Sequence, residues 1–543
     1  MADLSIFNSE SDEDAWVIQI NQLVSDTDLS ILNRMPVCIY QVPKSLTCTK
    51  PEAFAPQLIA IGPYTHFRPQ LYPMERFKVF AAKGVLDHFK KHDLKQLVEQ
   101  LRNTGPFIRA SYHKYLDFKE DTLLYTMAID GLFLLDFFHN YLKEQVSGSF
   151  MRGLEEQVKI SGVKLTKDAI IRDIVMVENQ IPTYMLMRIL VLASSIPVDS
   201  VQEYLGSMLL SFCQKHSPFK LTHTPTSAEA VTKHHHVLDL MYHLVVSHDE
   251  KPETTPTSDQ TQVFCKLQGN NNNDSTSATG ASKKNSKSEG TVTSFKKVKI
   301  VLSWTLESMK KLKDVNIPIL QPIKKHLDPI LHMSSQLETL SPNQQLDDDE
   351  EEAPMVVAIP SVSELHSVGV SFKPSEGGIM AIEFDEKRGI FYLPVLKLDV
   401  NSEVIMRNLV AHEALTKPDF LIFTRYTELI RGIIDTVEDV KLLKNARIIE
   451  SSSSLSVEES EELFNGMSKS IAPTKTEKLD ETIKKVNKYY HVKRKANLYR
   501  ILTDYVYSSW KLFTLLATFG LLAMTGLQTF CSVYDCPGYF RPK

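Results

Sequence analysis

His236 precedes Asp239 by three residues and His243 by seven, and two more histidines, His234 and His235, stand directly before it. On a helix these spacings bring His236, Asp239 and His243 to one face, and imidazole with carboxylate is a donor set that zinc accepts. The same stretch, VLDLMYHLVV, is also the pattern of an apolar core helix. A zinc site further needs a defined fourth ligand or an open catalytic position. The core-helix reading takes precedence, so no metal is expected, and His236, Asp239 and His243 are the candidates if one is held. The segment AHEAL (Ala411–Leu415) lacks the second histidine of a zinc-protease helix.

The carboxylates offer no aligned acid–base pair. Asp173 and Glu178 are five residues apart, and Asp130 and Asp136 are six apart, so neither pair shares a helical face well. Glu178, Asn179 and Gln180 form a polar cluster in apolar sequence just before Ile181 and Pro182. Catalysis is one reading. The other, which we favour, is a buried hydrogen-bonded cluster that secures the break at Pro182. The chain has no phosphate-binding glycine loop, dinucleotide fingerprint or nucleophile elbow, and no cofactor is expected.

The elements that would position these residues come from composition and pattern. The chain has 543 residues, of which 43% are hydrophobic and 23% charged, a globular balance that excludes full disorder and a multi-span membrane protein. Six cysteines are too few for a disulfide framework. A net charge of -5 gives no general attraction to nucleic acid, although Lys283, Lys284, Lys296, Lys297 and Lys299 resemble a two-part basic signal. No nucleic-acid partner is expected.

The expected fold is mainly α: a helical soluble body, a small antiparallel β-hairpin or sheet in its C-terminal part, and one C-terminal transmembrane helix. The divisions are an acidic extension (1–36), a helical N-terminal core (37–247), a disordered Ser/Asn/Lys linker (248–294), a basic amphipathic insertion (295–345) and an acidic linker (346–355). A C-terminal core (356–509), a membrane span (510–534) and a short exoplasmic tail (535–543) follow. Within the N-terminal core a looped lead-in rich in proline gives way to a helix from about Met74. Ile171, Ile174, Val175 and Glu178 share helical spacing up to Pro182. In the C-terminal core Met380, Ile382 and Phe384 alternate before a DEKRG turn, and Pro394 marks an edge or bulge. Ser456 and Glu459 have capping-box spacing.

Two apolar stretches compete for the membrane. Leu512–Tyr534 has no charge over 23 residues, enough for a spanning helix, with Trp510 and Lys511 at one boundary and Tyr534 at the other. Eight basic residues between Thr482 and Lys511 face one acid, Asp504, so the positive-inside rule puts the bulk of the chain in the cytosol. The N-terminus MADLSIFNSESDEDAW is unlike a signal peptide, so the expected route is tail-anchored insertion. Thr122–Leu142 is equally apolar but carries Asp130 and Asp136, which favours a buried helix of the body. Thr518, Leu521, Thr525 and Thr529 could line one face of the span for self-association into a homo-oligomer.

The ordered blocks also resemble a known family. IGPYTHFRPQLYPMERFK, MAIDGLFLLDFF, IIRDIVMVENQIP and SVSELHSVGVSFKP come in the order used by the plant "domain of unknown function 247" family, as do MRNLVAHEAL, RYTELIRGIIDTVEDVKLL and VNKYY. The family-motif residues are Gly62, Pro63, Tyr64, Glu75, Asp130, Asp173, Glu178, Asn179, Gln180, Pro182, Arg407, Asn408, Leu409 and Glu413. Two departures stand out: Thr65 precedes His66 in the first block, and His412 replaces an aromatic residue in the NL-A-[YF]-E block. The resemblance implies a plant single-pass membrane protein with no established catalysis, in a family some of whose members are implicated in self/non-self recognition at pollen incompatibility loci. The expected function is therefore a membrane-tethered scaffold for protein partners. An enzyme with an unfamiliar site and a structural or lipid-contact protein are the alternatives.

Overall fold

The helix Glu120–Leu142 is apolar on nearly every side, and a helix of that kind needs cover all round. The computed structural model supplies it. Helices Glu75–Phe89, Leu94–Leu101, Thr183–Ala193 and Val198–His216 pack around it, and Leu124, Met127, Phe133 and Phe138 are fully buried. Packing is tight at Gly131, where a Cβ would lie 2.3 Å from the Ile189 Cδ1. The stretch Glu120–His139 is, among the described residues, long and apolar enough to cross a membrane, but 72% of it is buried in protein. It is the core helix of the body.

The structure describes residues 36–142, 167–246 except 195 and 222–224, 359–451 and 474–533, with a few isolated positions elsewhere. The acidic extension (beyond isolated positions), both linkers, the lysine-rich Phe295–Lys313, the tail and Tyr534 lie outside the described residues. The described part is mainly helical with a small sheet component. Residues up to 249 and from 351 to Asn487 belong to one unit, and residues 250–350 with 488–543 to a second.

Local signals explain several boundaries. Asp93 and Gln96 form a capping box on Leu94–Leu101, and Ser361 and Glu364 do the same for Val362–Ser367. Ser456 and Glu459 exchange the expected capping hydrogen bonds at 2.8 and 3.0 Å. The lead-in helix runs from Glu75 to Phe89, close to the expected start, and ends at Lys90 in a left-handed conformation.

Two expectations need correction. The helical spacing through Val175 and Glu178 is not a helix. Lys167–Ile174 stops at Ile174, because the Asn179 side-chain amide donates to the Asp173 carbonyl (2.9 Å) and Gln180 donates to the carbonyls of Ile174 and Met176 (2.6 and 2.8 Å). Those side chains take acceptors that a continuing helix would use. The alternation at Met380 and Ile382 is likewise not a strand, since Ile379–Ala381 is a 3-10 turn.

The hairpin itself forms from β2 (Glu383–Asp385) and β3 (Ile390–Leu393), paired antiparallel. β1 (Ser371–Pro374) adds to the other side of β3 in parallel, giving the order β1-β3-β2. Pro394 lies between β3 and β4 (Leu396–Leu398), which pairs in parallel with β5 (Ile449–Ser451) in a separate sheet. A residue without an N–H thus separates two sheets.

The two halves of the first unit, more than 100 residues apart in sequence, are joined directly. Val237–Val246 packs on Ser402–Thr416, and Phe219 bridges to Leu396. The Asn401 side chain donates to the Asp168 carbonyl at 2.9 Å.

Candidate functional site

The motif residues assemble into two buried polar clusters. The first holds the loop Ile59–Thr65. Gly62 sits at φ +72°, and a Cβ there would lie 2.8 Å from the Gln180 carbonyl oxygen and 3.0 Å from the Tyr112 hydroxyl. Its N–H donates to Asp130 Oδ2 at 2.9 Å. Asp130 Oδ1 meets Lys78 Nζ at 2.5 Å, and both side chains are 0% exposed. Lys78 also donates to the Ala60 carbonyl (3.0 Å) and pairs with Glu75 at 2.5 Å. Burial works against the Lys78 ammonium, but Asp130 and Glu75 outweigh it and hold its pKa above the usual lysine value. Burial raises the Glu75 pKa despite Lys78.

Asp173 completes the lead-in. Its carboxylate accepts the N–H groups of Gln57, Leu58 and Ile59, at 2.7 to 3.2 Å. Burial raises its pKa, and those amides and Arg172 pull it back. Asn179 accepts from the Ile61 N–H (2.7 Å) and the Thr65 hydroxyl (2.8 Å), and donates to the Ile59 carbonyl (3.1 Å). Glu178 accepts the Val42 N–H at 2.9 Å and faces Arg68 at 3.8 Å, its pKa raised by burial. Tyr64 donates to the Ile39 carbonyl and accepts the Lys114 N–H. Pro63 is buried beside Gly62, and Pro182 precedes the Thr183–Ala193 helix, where its fixed φ suits a helix start.

The second cluster joins the halves. Asn408 accepts the Val177 N–H (3.0 Å) and donates to the Ala53 and Val404 carbonyls (2.8 Å each). Glu413 accepts from four donors at 2.7 Å: the Tyr242 hydroxyl, the Phe423 and Thr424 N–H groups and the Thr424 hydroxyl. Ile422–Ile433 has no capping side chain of its own, so Glu413 acts as its N-cap from another helix. Burial raises the Glu413 pKa against those hydrogen bonds. Leu409 is fully buried, and Arg407 Nε donates to Glu403 at 2.9 Å.

The histidine stretch differs from the expected arrangement. The helix begins at Val237, so His236 precedes it. His236 Nδ1 accepts the Asp239 N–H at 3.2 Å, and its Nε2 donates to the Cys38 carbonyl at 3.1 Å. Both ring nitrogens are occupied, which removes His236 from any donor set. Burial lowers its pKa to about 3, with His412 adding to the effect. His234 takes its place beside Asp239 and His243.

Lys78, Tyr112 and Tyr242 carry much of this architecture and were not singled out in the sequence. Lys78 follows Glu75 by three residues, which is ordinary helix-surface spacing; its burial is decided by the packed helices. A groove of about 710 Å³ is lined by Ala82, Lys83, Leu86, Lys90, Lys91 and His92 among others. None of the motif residues lines it.

The family model for a plant protein of unknown function, DUF247, matches residues 39–524. The chain belongs to this family. A UPF0481 protein of Arabidopsis thaliana is 35% identical over 98% of this chain and 97% of its own length. A second Arabidopsis UPF0481 protein is 29% identical over 34% of this chain and 39% of its own. No solved structure matches. In this DUF247 chain the polar motif blocks tie loops and helices together: every buried carboxylate among them accepts backbone amides or neutralises a buried cation.

That role gives a direct expectation for the lead-in loop. Gly62→Ala should lower the unfolding free energy by about 1–3 kcal/mol, from the positive φ and the close carbonyl together. Urea unfolding followed by circular dichroism measures it; a midpoint equal to that of the unaltered protein would show that the loop relaxes freely.

Proposed function

We propose that this DUF247 protein is a membrane-tethered interaction scaffold rather than an enzyme, with its helical body in the cytosol. The tether carries the reading. Glu477–Val533 is one helix, and its last part is the uncharged run from Leu512. Leu521, Leu522, Met524, Leu527 and Phe530 are each more than half exposed there. Water disfavours such a surface, and a bilayer core of roughly 30 Å matches about 20 helical residues. The threonines support it. Thr525 and Thr529 donate their hydroxyls to the carbonyls of Leu521 (2.8 Å) and Thr525 (2.6 Å), and Thr518 does so to Thr514, so these polar groups are satisfied within the helix. The basic residues before the run set the orientation by the positive-inside rule.

The scaffold half of the reading is supported by what occupies the motif carboxylates. Asp130, Asp173, Glu178 and Glu413 are engaged in holding backbone and partner side chains, which suits a rigid presenting body better than proton transfer to a substrate. Protein partners and self-association through the span complete the proposal.

Alkaline carbonate extraction tests the tether. The full chain is expected in the membrane pellet and a chain ending at Ser509 in the supernatant. Asn273, in the sequon Asn273-Asp274-Ser275, should carry no glycan. Release of the full chain by carbonate would remove the anchor from the proposal, and a glycan on Asn273 would reverse the orientation.

A further inference from the structure

Asp239 lies where both halves of the body meet, and its carboxylate is incompletely used by hydrogen bonds. Oδ2 accepts the His235 backbone N–H at 2.9 Å, and Oδ1 lies 3.1 Å from His412 Nε2. A carboxylate has about four lone-pair directions, so two remain. They face His234 Nδ1 at 3.6 Å from Oδ2 and His243 Nε2 at 3.5 Å from Oδ1. Both distances are too long for good hydrogen bonds. They lie a little above the edge of a coordination tetrahedron, about 3.3–3.4 Å for zinc bonds of 2.0–2.1 Å, and they end on different oxygens, so His234 approaches Oδ2 and His243 approaches Oδ1.

We propose that His234, Asp239 and His243 form a site for one zinc-class divalent cation, with an open fourth position toward solvent. One donor atom from each residue lies within 4.8 Å of the other two, and the His234 and His243 rings stand 4.5 Å apart, tilted by 32°. Closing a separation of up to 4.8 Å to a tetrahedral edge requires a histidine ring to turn. His243 has room for it, with its side chain 38% exposed, whereas Asp239 at 8% is fixed. Two imidazoles and a carboxylate form a borderline donor set that favours zinc over the harder calcium or magnesium.

The surroundings support the donors. His412 comes from the C-terminal half and holds Asp239 Oδ1, as outer residues orient metal-binding carboxylates. His236 packs edge-on against His412, with ring centroids 5.2 Å apart, and its own nitrogens are committed elsewhere. Lys417 is the competing cation. Its Nζ lies 4.9 Å from the centre of the Tyr242 ring, where the aromatic face offers it an alternative partner. A bound cation would crosslink residues 234–243 within the N-terminal half and reach the His412 helix only through the Asp239 hydrogen bond.

Zinc alone is the probe. The full-length protein in detergent, stripped with a chelator, is titrated with zinc against a chromogenic competitor, and thermal unfolding is recorded in parallel. One zinc per chain and a raised Tm are expected. His234→Ala and His243→Ala should each weaken binding by about 100-fold or more, and His412→Gln by about 10-fold. His235→Ala is the control for adventitious binding to the histidine run. Its ring is exposed, and only its backbone N–H reaches Asp239, so affinity should be unchanged. Circular dichroism confirms that each variant is folded; His243, being partly exposed, should tolerate substitution. Uptake below half a zinc per chain, or His243→Ala binding as tightly as the unaltered protein, overturns the site. Loss of binding in His235→Ala alone assigns the zinc to the run and overturns it as well.

Discussion

Lys78→Met is expected to lower the unfolding free energy by about 3–5 kcal/mol, the usual cost of removing one partner from a buried ion pair. The substitution keeps most of the length of the side chain and removes the charged end. It leaves Asp130 with 0% exposure and only the Gly62 N–H as compensation, and it also leaves the Ala60 carbonyl without its Lys78 donor. Glu75 loses its cation at the same time, although it lies nearer the surface. Adding Asp130→Asn should restore at least half of the loss, because a neutral amide oxygen can still accept the Gly62 N–H. Chemical denaturation of the single and double variants, followed by circular dichroism, provides the cycle. A Lys78→Met midpoint within experimental error of the parent would mean that water reaches the pair. The packing of Glu75–Phe89 on Glu120–Leu142 would then be wrong at that depth.

Glu413→Leu should cost about 2–4 kcal/mol and act on the junction between the halves. Each lost hydrogen bond to a charged acceptor contributes about 1.5–3 kcal/mol in isolation, but relaxation of the freed donors recovers part of the sum. The substitution leaves the Phe423 and Thr424 amides at the start of Ile422–Ile433 without a cap, and strands the Tyr242 hydroxyl. Tyr242→Phe removes one of the four donors and should cost about 1–2 kcal/mol. Hydrogen exchange distinguishes this from general weakening: protection should fall first in residues 422–433 and 237–246. Uniform loss across the body would refute Glu413 as a local cap.

Legibility in the sequence varied by the range of the interaction. The capping box at Ser456, the start of the helix near Glu75 and the DEKRG hairpin depend on residues two to five apart, and their spacing was enough. The polar cluster at Glu178, Asn179 and Gln180 was legible as buried and hydrogen-bonded, but its reach was not. Asn179 engages residues 59, 61 and 65, more than 110 positions away. The helix predicted through Val175 failed for a related reason: side chains beyond it captured its last carbonyls. Helical periodicity likewise grouped His236 with His243, whereas the chain enters that helix only at Val237 and presents His234 instead.

What the sequence determined by itself was the helical class, the order of the family blocks and the contrast between two apolar segments of similar length. Charge placement was sufficient for that contrast, since Asp130 and Asp136 mark a helix that must find polar partners inside protein, while Leu512–Tyr534 carries no charge. Only the tertiary structure decided that Lys78 is the partner of Asp130, that Asn408 and Glu413 join the two halves, and which histidines surround Asp239. Those are pairings between distant positions. Their energies come from desolvation and fixed geometry, and both exist only once the chain has closed around them.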